Sequence, residues 1–380
     1  MAVYKLFPYK DTTLYSFYPQ MNTGIDAITQ ISNLNIAVNS NPQVARFLTE
    51  FVQEEIEDVI NNKISGSTWD VNFRSYIATA QGIVESTDLS VHPIAQYWWN
   101  GTGTYLDQPL TTDGASWYSP NFSGSTDWSS SGTDSTDHYV TSSYNPTFVG
   151  QGGGSWYYSG SDGTLYAVTQ SFDTRSDKDL NVGVKNIVSL WYSSSFENNG
   201  FITKWENSVE FSTNLQIQPV MQFYSVDTNT IYPPQLEFKW EDYSTVLTGS
   251  ATSSIVTTTN LATSLAENPG VFFPSSINRF RFNLAPMYPT PIWTTASLFT
   301  ETHYLPTASY YAVKDLDTNE FVIDYNTTYT KLSSDADGNY FDIYMNGLEP
   351  ERYYKILVKT NINNSTLILD DNYYFKVING

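Results

Sequence analysis

Apolar and polar residues alternate with a period of two from Trp69 to Ile77. Trp69, Val71, Phe73, Ser75 and Ile77 fall on one side, and Asp70, Asn72, Arg74 and Tyr76 on the other. That alternation predicts a half-buried antiparallel strand. The same pattern recurs at Gln235–Glu241, where Leu236, Phe238 and Trp240 oppose Gln235, Glu237, Lys239 and Glu241. It predicts a strand of a sheet with one wet face. Further strands are expected at Val3–Phe7, Lys10–Tyr15, Gln43–Leu48, Leu180–Val184 and Phe201–Trp205, the last after an Asn198-Asn199-Gly200 hairpin signal. A different period appears after Thr49. Phe51, Val52, Ile56, Val59, Ile60 and Ile64 recur at helical spacing while Glu54, Glu55, Glu57 and Asp58 take the other face, which predicts a helix from Glu50 to Lys63 capped by Thr49. Asn186–Trp191 predicts one or two further helical turns.

The stretch from His92 to Tyr118 organises what surrounds it. It is expected to open as an apolar strand, Val91–Trp99, and to break at Asn100-Gly101-Thr102-Gly103, where glycines tolerate positive φ. It then runs extended through Pro109 and Gly114 to Trp117. Trp98 and Trp117 read either as core and loop anchors of a β-sandwich or as flat platforms for a sugar ring. Residues 119–165 are dominated by Ser, Gly, Asp and Thr, with Phe122 and Trp128 almost alone among them. An isolated aromatic in a polar loop needs a surface to pack on. Phe122, Trp128, Trp117 and Tyr118 are therefore the candidate interface toward another subunit. Beyond Tyr243 the run VLTGSATSSIVTTTNLATS reads as a linker over 246–270, and short strands return from 271 onward, as in Phe280–Phe282, Tyr340–Tyr344 and Tyr353–Lys359. The expectation is all-β: residues 1–245 a jelly-roll-like sandwich with a short helix, and 271–380 a smaller Ig-like sandwich.

Composition narrows the chemistry. In 380 residues the charged fraction is only 15%, the aromatic fraction is 16%, and the net charge is −21. Such a field repels nucleic acid, and Arg279 with Arg281 makes a local pair on one strand face rather than a basic patch. Without cysteine there is neither a disulfide framework nor a thiolate metal site. The start MAVYKLFPYKD does not read as a signal peptide, and no apolar run has the length to span a membrane, so the expected setting is a cytoplasm. His92, His138 and His303 lack metal-binding spacing, and neither a nucleophile elbow nor a phosphate loop occurs. No cofactor or metal is expected. Glu206 with Glu210 forms a carboxylate pair of the sort glycosidases use, yet outward strand positions are more often solvated surface. Asp335-Ala336-Asp337-Gly338 resembles the start of a calcium loop without its closing glutamate and reads as a turn.

KDTTLYSFYPQMNTGID, followed by Ala45-Arg46-Phe47-Leu48, resembles the opening of DNRLRE-type (disaggregatase-related) jelly-roll domains. VHPIAQYWWNGTGTYLDQPLTTDGASW, DLNVGVKNIVSLW, NNGFITKW and DTNTIYPPQLEFKW are similar to the version in virion proteins of tailed phages, particularly marine T-even-like myophages. LPTASYYAVKD, SSDADGNYFDIYMNGLEPERYYKILVK and DDNYYFKV resemble the C-terminal part of those proteins. The resemblance implies a non-enzymatic structural protein of the neck, collar, tail or capsid surface. It would be assembled in the host cytoplasm and pack on other virion proteins and on copies of itself. The alternative is a secreted or surface carbohydrate-binding module with aromatic residues lining a sugar cleft.

Overall fold

Period-two patterning sets most of the observed elements. The structure, a computed structural model, describes residues 2–35, 42–83, 86–121, 126–128, 136–139, 152–160, 165–210, 218–247, 254–288 and 302–379. The first strands are β1 (Ala2–Leu6), β2 (Lys10–Tyr15), β3 (Ile28–Asn35) and β4 (Pro42–Glu50). Helix α1 (Gln53–Asp58) continues as a π-helical turn, Val59–Lys63. Then come β5 (Trp69–Ser75), β6 (Ile77–Gln81), β7 (Thr87–Pro93), β8 (Thr136–Tyr139), β9 (Trp156–Gly160), β10 (Val168–Phe172) and β11 (Leu180–Gly183). Helix α2 (Lys185–Tyr192) leads to β12 (Phe201–Trp205), the short α3 (Asn207–Glu210), β13 (Val220–Tyr224) and β14 (Gln235–Trp240). The rest is β15 (Leu261–Ala266), β16 (Val271–Phe272), β17 (Ile277–Pro286), β18 (Ser309–Asp315) and β19 (Phe321–Ile323), followed by β20 (Ser333–Asp335), β21 (Gly338–Tyr344), β22 (Tyr353–Ile362) and β23 (Ser365–Val377).

The chain divides into two units. The N-terminal sandwich comprises Leu6–Asn62 and Val71–Glu237; the C-terminal sandwich comprises Met1–Lys5, Lys63–Asp70 and Phe238–Gly380. The expected division at 245 therefore shifts. Residues 1–5 and 63–70 go with the C-terminal unit, and so does most of the expected linker. Ser254 and Val256 bond the backbone of Tyr304, Val256 enters the core, and β15 is a full strand.

In the N-terminal sandwich an antiparallel sheet runs β10-β7-β12-β4-β3-β13-β6, with β2 added on β4. β4 is its bend. Ala45 lies opposite both Tyr15 of β2 and Ser32 of β3, while Leu48 lies opposite Thr12 of β2 and Ile202 of β12. One edge thus keeps a single partner while the other passes from β12 to β3, which curls the sheet. β11 pairs with β5, and Val71, Phe73 and Ser75 point inward as the alternation predicts. Phe73 stacks on Phe201 at 5.0 Å, and Phe51 and Trp191 close on the same ring. Each fully buried side chain of this size contributes about 1.5–3 kcal/mol.

Four local expectations fail here for identifiable reasons. Thr49 does not cap a helix: Thr49 and Glu50 stay in β4, where Glu50 meets Lys10, and α1 starts after an extended Val52 without a side-chain cap. β7 stops at Pro93 instead of reaching Trp99. Asn198-Asn199-Gly200 joins α2 to β12, so it is not a hairpin; Asn198 donates to the Phe51 carbonyl and Gly200 sits at φ 84°. In β14 the expected wet face is covered, since Gln235 and Glu237 are buried along with Leu236, Phe238 and Trp240.

The C-terminal sandwich has sheets β15-β17-β21-β20 and β16-β23-β22-β18-β19. Assigning the strands in chain order gives the A-B-E-D and G-F-C arrangement of an Ig-like fold, with β19 extending C and β16 lying parallel to the last strand. Its core stacks Tyr311 on Phe341 at 4.5 Å and Phe341 on Phe280 at 5.6 Å. Near the start of β22, Tyr354 donates its hydroxyl to the Glu349 carbonyl at 3.0 Å, a tyrosine corner at the position such folds use.

Candidate functional site

The His92–Tyr118 stretch is held by Asn22. Its Nδ2 donates to the carbonyls of Asn100 and Ala115, at 2.7 and 2.8 Å, and its Oδ1 accepts from Gly24 and Gly103. Every hydrogen-bonding position of this buried amide is thereby used, so the turn has one fixed seat. Gly101 is required there: at φ 80°, a Cβ would stand 2.3 Å from Asn22 Oδ1. Beyond the turn, Lys10 reaches in to donate to the Trp98 carbonyl at 2.7 Å and pairs with Glu50 at 2.9 Å. Burial pushes the Lys10 ammonium down and the Glu50 carboxyl up, and each opposes the other's shift.

Of the expected interface residues, Trp117 and Trp128 are core. Trp128 is 4% exposed, donates Nε1 to the Ser116 carbonyl at 3.0 Å and packs in one cluster with Trp98, Trp117, Trp156, Leu14 and Ile202. A side chain so covered has no surface left for another subunit, so the isolated-aromatic argument fails. Residues distant in sequence supply the apolar wall that its own loop lacks. Trp98 and Trp117, both fully buried, are core anchors rather than sugar platforms. Tyr118 is half-buried against the same cluster. Phe122 lies outside the described residues. The exposed aromatics of this stretch are Tyr97, Trp99 and Tyr105; Tyr97 and Trp99 are in edge contact at 4.8 Å, and Tyr9 is also exposed on its hydrogen bond to Glu50. Strand alternation beside a buried Trp98 was the available signal for them.

The carboxylate pair separates into two environments. Glu206 is half-buried, whereas Glu210 is fully buried between two cations. Arg46 donates Nε to Glu210 Oε1 at 2.6 Å and Nη2 to Oε2 at 2.9 Å, and Lys204 Nζ stands 3.1 Å from Oε2. The Arg46 guanidinium lies 5.0 Å from the ring centres of both Trp117 and Trp156. Burial pushes the Lys204 pKa down, with Glu210 pulling it back up. His92, buried beside this group, is held neutral by burial and by Lys204. This arrangement ties β4, β12 and α3 together. Glu210 is thus not the solvated residue that its sequence context implied.

The remaining candidates are placed as follows. His303 is half-buried, and His138 lies on β8 opposite Tyr157 of β9. Arg279 and Arg281 each make a two-pronged pair, with Asp342 and Asp335 respectively. Asp335 is thus engaged by arginine, and Asp335–Gly338 is the β20–β21 turn. Among the described residues no group of three His, Cys, Asp or Glu is placed to hold a metal, and no helix is long and apolar enough to cross a membrane.

A groove of about 560 Å³ opens on the face of β4-β3-β13-β6. Its floor carries Gln43 from β4, Gln30 and Leu34 from β3, Val220 and Gln222 from β13, and Gln81 from β6. Phe17, Tyr18 and Tyr105 form its wall. Tyr105 is fixed by its amide, which donates to Asp26 Oδ2 at 3.0 Å; burial raises the Asp26 pKa to about 6. Nothing in the local sequence pattern marks this groove, because its wall and floor come from six separate segments.

No family model and no curated protein matches the chain. Among solved structures, the crystal structure of a DUF4785 family protein from Legionella pneumophila aligns over 98% of this chain and 66% of its own, with 8% identity and a TM-score of 0.17. This chain thus spans slightly less than two thirds of that protein, and a score so low carries no argument.

Proposed function

We propose that this chain is a non-enzymatic structural protein of a tailed-phage virion, at the neck, collar, tail or capsid surface, working through packing on neighbouring subunits. The observation that carries the reading is the pair Tyr97 and Trp99, exposed on a stretch that Asn22 and Lys10 hold rigid. Rings presented on a fixed frame lose little entropy on docking, and aromatics are enriched where subunits bind. The acidic charge and the sequence resemblance to virion proteins support the same reading.

Particles carrying Tyr97→Ser with Trp99→Ser test it. The isolated variant should melt close to the parent, because about half of each ring is already in solvent, while its incorporation into purified particles falls at least tenfold, a loss of about 1.4 kcal/mol. Absence of the parent chain from purified particles overturns the reading. Unchanged incorporation of the variant moves the interface away from this pair and removes its main support.

A further inference from the structure

We infer that the groove of the N-terminal sandwich is a binding site for a neutral oligosaccharide. Three features of the lining argue for that ligand class. Tyr18 and Tyr105 are 38% and 45% exposed and meet edge to face, 6.2 Å apart at 76°. Both rings line the groove and keep part of their surface in solvent. Behind them Tyr15 sits 5.1 Å from Tyr105 and belongs to a buried cluster with Met21 and Ala45, so the wall is braced before any ligand arrives. Flat apolar rings of this kind suit the C–H faces of a pyranose.

The floor supplies the complementary chemistry. A sugar hydroxyl both donates and accepts, and a glutamine amide offers both roles from one side chain. Gln222 is positioned by accepting from Thr79 at 2.8 Å and donating to Gln30 at 3.0 Å. That leaves one N–H and one lone pair on Gln222, and the whole NH₂ of Gln30, without a partner among the described residues. Gln43 and Gln81 use none of their amide positions on described residues. Leu34 and Val220 place apolar patches between these amides.

Charge and backbone exclude the neighbouring classes. Among the described residues the lining contains no lysine, arginine or carboxylate to give an ionic ligand a counter-charge, and the net charge of −21 disfavours anions further. An added β-strand requires a free backbone edge; β3 and β13, which form the middle of the floor, are each paired on both sides, and only β6, at the end of the sheet order, keeps a free side. The volume falls within the roughly 300–1,000 Å³ usual for small-ligand sites. The inference does not depend on the virion reading, because the isolated chain presents the whole groove.

The test is a titration of the full chain with cello-, malto-, laminari-, manno-, galacto- and xylo-oligosaccharides, with oligogalacturonate as the anionic control, followed by calorimetry and tyrosine fluorescence. At least one neutral series should bind and the control should not. Tyr18→Ala and Tyr105→Ala should each weaken binding about tenfold, the scale of one lost aromatic contact. Tyr105→Phe, which keeps the ring, should retain most of the affinity. Both positions are partly exposed, so the variants fold, and unchanged melting checks this. No binding across the neutral panel overturns the inference. So does binding that survives both alanine variants, or binding of the anionic control alone.

Discussion

In the N-terminal sandwich Arg46, Glu210 and Lys204 lie inside the fold, at 0%, 0% and 2% side-chain exposure, whereas in the C-terminal sandwich Arg279 meets Asp342 with 44% of its side chain in solvent. The C-terminal unit is built of short strands whose inward residues alternate, and turns of a few residues join many of them. Its hydrophobic pattern sets each register, and most charge is left at the rim, with Asp315, paired with Arg352, and Lys5 buried. The N-terminal unit must instead seat long irregular excursions, such as the stretch after β7, whose residues have no periodic pattern to hold them. There, polar and charged groups buried with full partnership take over. Asn22 fixes one turn, Lys10 fixes the Trp98 carbonyl, and Arg46 joins Gly153 to Glu210. Such groups are costly to desolvate and specify one arrangement strongly, because each wrong arrangement leaves a buried charge alone.

The largest expected effect follows at Glu210. Glu210→Gln leaves Arg46 and Lys204 buried without their carboxylate, which should cost about 3–5 kcal/mol in denaturant unfolding. Replacing Arg46, Glu210 and Lys204 together by apolar residues of similar volume should recover most of that loss. If Glu210→Gln costs no more than a surface pair, the contrast between the two sandwiches collapses.

The next effect is a pH dependence at Asp11. This β2 residue is 1% exposed, accepts from the Val226 amide at 2.7 Å and has Asp227 and Asp26 near it. Burial is the main cause that pushes its pKa from 3.8 up to about 8. The sign runs against the usual salt-bridged aspartate. Between about pH 4 and 8 the folded chain holds a proton that the unfolded chain has released, so stability falls as pH rises through that window. Asp11→Asn removes the titration. From pH 5 to 8.5 the variant should gain roughly 2–4 kcal/mol relative to the parent, at about 1.4 kcal/mol per pH unit. Parallel stability curves for the two chains would show that Asp11 does not titrate in this range. Asp26, raised to about 6, shifts in the same direction but is common to both chains.

How far the sequence revealed these features differs between the regions for the same reason. Strand periodicity located β5, β14, β17, β21 and β22 because neighbouring residues carry that signal. The all-β class and a second sandwich were legible on that basis. The pairing of Asn22 with the Asn100 turn was not, although both turns were recognisable, because the partners are 78 positions apart. Arg46 and Glu210 are 164 apart, and Glu210 looked like a solvated strand residue until α3 turned it inward. Trp128 misled in a related way. A polar neighbourhood in sequence implied exposure, while its neighbourhood in space is tryptophan and leucine. The groove was invisible for the opposite reason: glutamines on a strand read as ordinary surface until six segments place them around the same space.

The smallest expected effect sits at the other end of the comparison. Arg279 makes a two-pronged contact with Asp342, at 2.9 Å on both prongs, and its guanidinium lies 4.2 Å from the centre of the Tyr340 ring. Its pKa is raised, the hydrogen bonds it donates to Asp342 being the first cause. That shift does not translate into stability, because water screens a pair this exposed and the free side chain loses entropy on docking. Arg279→Ala should therefore change the unfolding free energy by about 0–1 kcal/mol, with the stem's packing on Tyr340 accounting for part of it. In about 1 M salt the electrostatic share should fade, bringing parent and variant closer, since the Debye length there is only about 3 Å. Asp342 is less exposed than Arg279, so Asp342→Ala should cost more than Arg279→Ala while staying well below Glu210→Gln. A loss at Arg279 of the size expected at Glu210, unmoved by salt, would mean that the C-terminal sandwich also relies on charge to fix its strands.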